Sequence, residues 1–172
     1  EVEPNADKHC IAHVFKVGND PFRGRLGVFR VHQGTLTPNS QLYIGDARKP
    51  FKVNHLLRLQ GKDQADMSKA IPGDICAVAR VEEVERDHVL HDSHDEDHHH
   101  LYPPQGPVPL FGLALVAQKH GDEQKLSDAL HKLESEDPCL TVEHNSQANE
   151  TVIRGLGELH LRVALEQLAE RY

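Results

Sequence analysis

The sequence predicts a multi-domain chain: an all-β barrel, a polar linker, and an α+β domain in the order β-α-β-β-α. Three observations predict it. Residues 10 to 91 carry short apolar runs separated by Gly, Pro and Asn, with no helix-period stretch longer than ten residues among them. Residues 92 to 107 lose all periodicity and are rich in histidine, acids and proline. From residue 108 onward two helix-period segments alternate with strand-like runs.

In the first domain (residues 1–91), Cys10 to Val17 alternates, with Ile11, His13, Phe15 and Val17 on one face and Ala12, Val14 and Lys16 on the other. Asn19-Asp20-Pro21 supplies a turn, because Asn and Asp bond their own backbone and Pro presets the next φ. Further strands are expected at Gly24 to Val31, Gln41 to Ile44, Phe51 to Leu59, Asp74 to Arg80 and Asp87 to Leu90. The stretch from His91 to His100, followed by Pro103, Pro104, Pro107 and Pro109, is expected to be an interdomain linker over residues 92–107, since proline donates nothing to a ladder.

In the second domain (residues 108–172), Leu110 to Gln118 is expected to be a buried strand. Asp122 is placed to cap a helix that turns Leu126, Ala129, Leu130 and Leu133 to one face. Asp137-Pro138 ends it, because the residue before proline is pushed out of the α region. Leu140 to Glu143 and Thr151 to Ile153 then pair around a turn at Asn145 to Glu150. After Gly155 and Gly157 a second helix is expected to turn Leu159, Val163, Ala164 and Leu168 inward, with Arg162 and Glu166 outside. This is most of a ferredoxin-like split β-α-β unit, lacking its last strand.

Composition narrows the function. The longest apolar run, around Leu110 to Ala117, is far short of the ~20 residues that cross a bilayer, and no secretion signal opens the chain. Cys10, Cys76 and Cys139 are scattered without a CxxC pair, which fits small buried side chains in a reducing compartment; a cytoplasmic location is expected. The formal net charge of −8 is local: residues 82 to 97 hold eight acids against Arg86. Small basic patches elsewhere remain compatible with RNA. No Gly-x-x-x-x-Gly-Lys-Ser/Thr string is present, so nothing here cradles a nucleotide triphosphate.

Several strings resemble a known family, the elongation factor G type of translational GTPase. Val14-Phe15-Lys16-Val17, Asp20-Pro21-Phe22-Arg23-Gly24, Arg30-Val31-His32-Gln33-Gly34-Thr35-Leu36 and Pro72-Gly73-Asp74-Ile75 resemble its second domain. Lys125-Leu126-Ser127-Asp128-Ala129-Leu130, Glu136-Asp137-Pro138-Cys139-Leu140 and Gly155-Leu156-Gly157-Glu158-Leu159-His160-Leu161 resemble its third. The resemblance implies a translation-factor β-barrel that rests on small-subunit ribosomal RNA. It also implies a mobile ferredoxin-like domain beside the switch regions of a GTPase domain absent from this sequence. The partners implied are the ribosome and that GTPase domain in cis, with no membrane and a monomeric chain; GTP and Mg²⁺ belong to the parent. His32-Gln33, Glu85 to Leu90, Leu156, Arg162 and the histidine-acid loop depart from the family's usual pattern and point to a divergent member. Ribosome-rescue and ribosome-protection relatives share the resemblance, and a metal-binding or stress protein built on the histidine loop is the alternative of another class.

Candidate sites follow. Arg23, Arg25, Arg58 and Lys62 are candidates to neutralise RNA phosphates, against the plainer reading of a solvated barrel face. Gly155, Gly157, Glu158 and His160 are candidates to face a partner or switch region, against a reading in which the glycines merely let strand turn into helix. No catalytic residue and no resident cofactor or metal is expected. Should a metal bind, His91, His94, His98, His99 and His100 are the candidates, and an open loop would have to lose entropy to hold it. Glu134, Glu136 and Asp137 are read as a helix end rather than an acid-base pair.

Overall fold

Asp20 closes the first hairpin: its Oδ1 accepts the backbone N–H groups of Phe22 and Arg23, each at 2.8 Å. Those donors hold its carboxyl below the usual carboxylate range. The hairpin joins β1 (Ile11–Asp20) to β2 (Gly24–Gln33), paired antiparallel from Ile11↔Gln33 to Asp20↔Gly24. The computed structural model describes residues 2–103, 106–117, 119, 121–145 and 150–172. It divides into two units, Glu1–Pro103 and Pro104–Tyr172.

The first unit adds β3 (Gln41–Ile44), β4 (Phe51–Lys52), β5 (Leu56–Gln60), β6 (Asp63–Asp66), β7 (Ile75–Ala79) and β8 (Val89–His91). The eight strands form a curled antiparallel sheet in the order β4-β3-β8-β1-β2-β7-β5-β6. An isolated bridge between Leu36 and Ala70 adds a further cross-link. The expected run Phe51 to Leu59 is two strands, and β6 has no counterpart among the expected elements. Its residues, Asp63-Gln64-Ala65-Asp66, are polar and largely exposed, so no apolar alternation marks them; pairing with β5 makes them a strand.

Inside the curl lies a core that includes Ala12, Val14, Val17, Phe29, Val31, Leu42, Leu56, Val78 and Leu90. The strict alternation expected of β1 fails. The register slips between Val14 and Lys16, so Val14 faces Phe29 and Lys16 faces Val28. One extra residue, Phe15, is taken up by this bulge, and the side chains beyond it change sides. Val17 therefore joins Ala12 and Val14 in the core, while Phe15 is 40% exposed. Gly34 is required where it stands: its φ is +77°, and a Cβ there would sit 2.4 Å from Cys10 Cα. On the other face of the sheet Leu26, Val28, Leu57, Ala77 and Ala79 form a smaller buried cluster.

The histidine-acid stretch does not behave as an open linker. The division of the chain falls after Pro103, inside the predicted 92–107 segment, and residues 92–99 are tied to the barrel. Cys10 N–H donates to Asp92 Oδ1 at 2.9 Å, and Ser93 caps a short 3-10 turn, His94–Glu96. Pro104 and Gln105 lie outside the described residues.

The second unit contains β9 (Phe111–Leu115), α1 (Glu123–Glu136), β10 (Thr141–Asn145), β11 (Glu150–Gly155) and α2 (Glu158–Arg171). Its antiparallel sheet has the order β10-β11-β9, which is the ferredoxin-like arrangement expected. Leu130, Leu133, Leu140, Ile153, Leu161 and Ala164 make the core.

Three local expectations are corrected here. β9 is one-sided rather than buried: Leu113 and Leu115 pack on the core, while Phe111 and Ala114 are exposed. Asp122 occupies the N-cap position of α1 without bonding through its side chain; Glu123 Oε2 instead accepts the Gly121 N–H at 2.8 Å. In α2 the buried residues are Leu161 and Ala164, with Leu168 partly buried, so Leu159 and Val163 face outward. The expected α1 face and its stop hold: Ala129, Leu130 and Leu133 are buried, and Asp137 is extended before Pro138. The turn residues 146–149 and Gln118 lie outside the described residues.

Candidate functional site

Two surfaces and one loop carry the predicted residues. On the barrel, the tip of the β1–β2 hairpin reaches β6. Arg23 lies 3.5 Å from Asp66, and Gln64 donates to Asp20 Oδ2 at 2.9 Å. Phe22 at the tip is 88% exposed. Arg58, on β5 opposite Ala65, and Lys62, at the β5–β6 turn, are exposed and have no ion pair among the described residues. Arg25 is placed differently. Its Nε donates to the Val84 carbonyl at 2.9 Å, so part of its hydrogen-bonding capacity is spent inside the barrel. Arg23, Arg58 and Lys62 thus sit on the adjoining β1–β2 and β5–β6 hairpins, and Arg25 is a strut behind them.

At the β11–α2 junction, His160 uses both ring nitrogens within the fold. Nδ1 accepts the Leu156 N–H at 3.0 Å, and Nε2 donates to Asp137 Oδ2 at 2.7 Å. This fixes the Nε2–H tautomer and ties the start of α2 to the end of α1. Gly155 follows from it: a Cβ there would lie 2.8 Å from His160 Nδ1 and 2.6 Å from Leu161 Cδ2. Gly157 has an extended φ of 178° and open space around it, so packing does not demand glycine there. Glu158 is exposed in the first turn, where a carboxylate complements the helix dipole. Beside it Leu159 and Val163, four residues apart on α2, form an exposed apolar stripe, and Leu156 just ahead of the helix is exposed as well. Sequence reasoning missed this stripe. The phase of α2 is set by Leu161 plugging in over Gly155, a tertiary contact that periodicity does not report.

The loop sorts its histidines. His91 is fully buried, with Nδ1 2.7 Å from the Ser93 carbonyl oxygen, Nε2 on the Gly45 carbonyl, and the Tyr43 ring stacked at 5.7 Å. Both ring nitrogens thus face backbone carbonyl oxygens inside the fold, and Asp97 Oδ1 lies 3.4 Å from Nε2. His91 is thus engaged within the fold and does not stand in the group of donors formed by Glu96, His98 and His99. His94 bonds through Nδ1 to Asp97 at 3.1 Å. His98 and His99 stand together, ring centroids 4.1 Å apart, with Glu96. His100 is exposed beyond them and lines a small hollow of about 190 Å³ with His13 and His32. Glu96 was not among the sequence candidates; it is one of many acids in the segment, and only the 3-10 turn singles it out.

Comparison with known proteins covers nearly the whole chain. The family described as "Elongation factor G domain 2" matches residues 10–91, and "Elongation Factor G, domain III" matches residues 106–172. Elongation factor G of Amoebophilus asiaticus (strain 5a2) is 32% identical over 170 residues, 99% of this chain and 24% of its own length. That of Rhodopirellula baltica is 30% identical over 172 residues, again 24% of its length. A crystal structure from Thermus thermophilus has a TM-score of 0.79 at 32% identity, covering 95% of this chain and 24% of that one. The chain thus spans about a quarter of the length of the relatives it matches, and no described helix is long and apolar enough to cross a membrane. It belongs to the elongation factor G family, whose domains 2 and 3 it carries in that order.

Proposed function

We propose that this chain is the ribosome-docking and conformational-coupling segment of an elongation factor G-like GTPase acting in translocation. The barrel docks through Arg23, Arg58 and Lys62 against ribosomal RNA, and Phe22 at the hairpin tip offers a ring face beside them. The second domain couples through α2 and the turn before it, where Glu158, Leu156, Leu159 and Val163 face the nucleotide-binding domain of the same protein. The exposed apolar side chains carry this reading: Leu159 and Val163 on one face of α2, with Leu156 exposed just ahead of the helix, fit a surface that a partner covers. His160 and Gly155 serve that surface as positioning residues by fixing the phase of α2. The segment contributes no phosphate-binding loop, so GTP and Mg²⁺ belong to the partner domain.

Two measurements test this. The chain alone shows no GTP turnover and binds small ribosomal subunits weakly, with affinity falling as salt rises; Arg23→Ala with Arg58→Ala and Lys62→Ala flattens the salt slope by about 0.7–0.9 per lost phosphate contact. Turnover above a buffer blank, or tight binding indifferent to salt, overturns the docking assignment. In an elongation factor G carrying this segment, Leu159→Glu with Val163→Glu lowers ribosome-stimulated GTP turnover while leaving the segment folded. Unchanged turnover overturns the coupling assignment.

A further inference from the structure

We propose that Glu96, His98 and His99 form a binding site for a single divalent transition-metal ion of the zinc type, independent of the ribosomal role. One donor atom from each of the three lies within 4.8 Å of the others. An ion held at about 2.0–2.1 Å from each donor needs donors roughly 3.3 Å apart, so the cluster closes by side-chain rotation alone. The Glu96 Oε2 to His99 Nε2 separation is already 3.0 Å.

The donor set has the right chemistry. His98 presents Nδ1 to the Asp95 carbonyl oxygen at 3.0 Å, so Nδ1 carries the proton and Nε2 keeps its lone pair. A backbone carbonyl behind a ligating imidazole is the usual way that ring orientation and tautomer are fixed. Two imidazoles and a carboxylate suit a borderline-soft ion, and three protein donors leave a fourth position for water. Asp92, Asp95 and Asp97 add negative charge within five residues, and no Lys or Arg lies between residues 87 and 100.

The ordering entropy that weighs against metal binding in a loose histidine tract has been met by the fold. Ser93 Oγ accepts the Asp95 N–H at 3.2 Å, and the Asp97 N–H bonds back to the His94 carbonyl. The His99 N–H donates to the Glu96 carbonyl at 3.0 Å, closing the segment that holds all three donors. His91, buried in β8, and the Cys10–Asp92 bond pin the start of the turn, and Asp97 Oδ1, 3.4 Å from His91 Nε2, returns its end. The side chains of Glu96 and His99 are only 15% and 28% exposed.

The untagged 172-residue chain, stripped with a chelator and titrated calorimetrically with Zn²⁺, is expected to take up one equivalent, and its melting temperature should rise with added zinc. Protons compete for the imidazoles, so binding at pH 5.5 is weaker than at pH 7.5. Glu96→Gln, His98→Ala and His99→Ala each lower affinity by at least about tenfold, while His94→Ala and His100→Ala keep it. Weak uptake of several equivalents, or uptake that survives His98→Ala combined with His99→Ala, overturns the site. The wild-type chain supplies a check that needs no variant. On one equivalent of zinc the ring-nitrogen NMR signals of His98 and His99 shift, and a shift confined to other histidines refutes the assignment.

Discussion

Single residues in this chain owe their chemistry to where the backbone puts them. Burial pushes the thiols of Cys10 and Cys76 up to about 12, with Asp92 and Asp74 adding to the effect. Cys139 is only half-buried. A thiol reagent at pH 8 should therefore modify one cysteine quickly in the native chain and the other two only on unfolding, and Cys139→Ser should abolish the fast phase. Asp20 makes a pH prediction with a definite sign. Its carboxyl is depressed in the fold, chiefly by the Arg23 and Phe22 backbone donors, so the stabilisation it gives is present above the ordinary carboxylate value of about 4. That stabilisation is lost as pH falls through the depressed value. Denaturation midpoints of Asp20→Asn should accordingly vary less steeply below pH ~4 than those of the parent chain.

At the scale of elements, α2 shows how one contact sets a phase. Leu161 is fully buried over Gly155, and Leu159, two residues away, is 70% exposed. Leu161→Ala should cost about 2–5 kcal/mol by chemical denaturation, whereas Leu159→Glu should stay within about 0.5 kcal/mol. The second prediction separates a partner surface from a core. Such phases explain what the sequence could and could not disclose. The hairpin at Asp20, the strand at Gln41–Ile44, the buried face of α1 and its stop at Asp137 were legible, because turn chemistry, alternation and the constraint before proline are all local signals. The bulge at Phe15, the polar strand β6 and the rotation of α2 were not, since each depends on a neighbour distant in sequence. The site divides the same way. The β1–β2 hairpin that carries Arg23 and Arg25 and the strand-to-helix turn at Gly155–His160 could be read directly, but the β5–β6 hairpin of Arg58 and Lys62 and the sorting of the histidines needed the folded neighbours, the latter in a loop that composition presented as solvated linker.

For the whole molecule, two cores built on different plans carry the stability. Phe29 anchors the all-β unit, and Leu130 anchors the α+β unit. Phe29→Ala should cost about 3–5 kcal/mol and Leu130→Ala about 2–5 kcal/mol. Amide hydrogen exchange should lose protection first in the unit that carries the substitution, and equal loss throughout both units would contradict separate cores.

β9 bonds along one side to β11, and among the described residues no strand takes its other side. Half of a hydrogen-bonding ladder is thus offered to whatever backbone arrives. In a concentrated preparation the nearest such backbone is β9 of another copy, and rim-to-rim zipping would compete with the solvent for those amides. Pro107 and Pro109 just ahead of the strand limit how far such a zipper could run. Handling this chain at high concentration therefore calls for watching its light scattering.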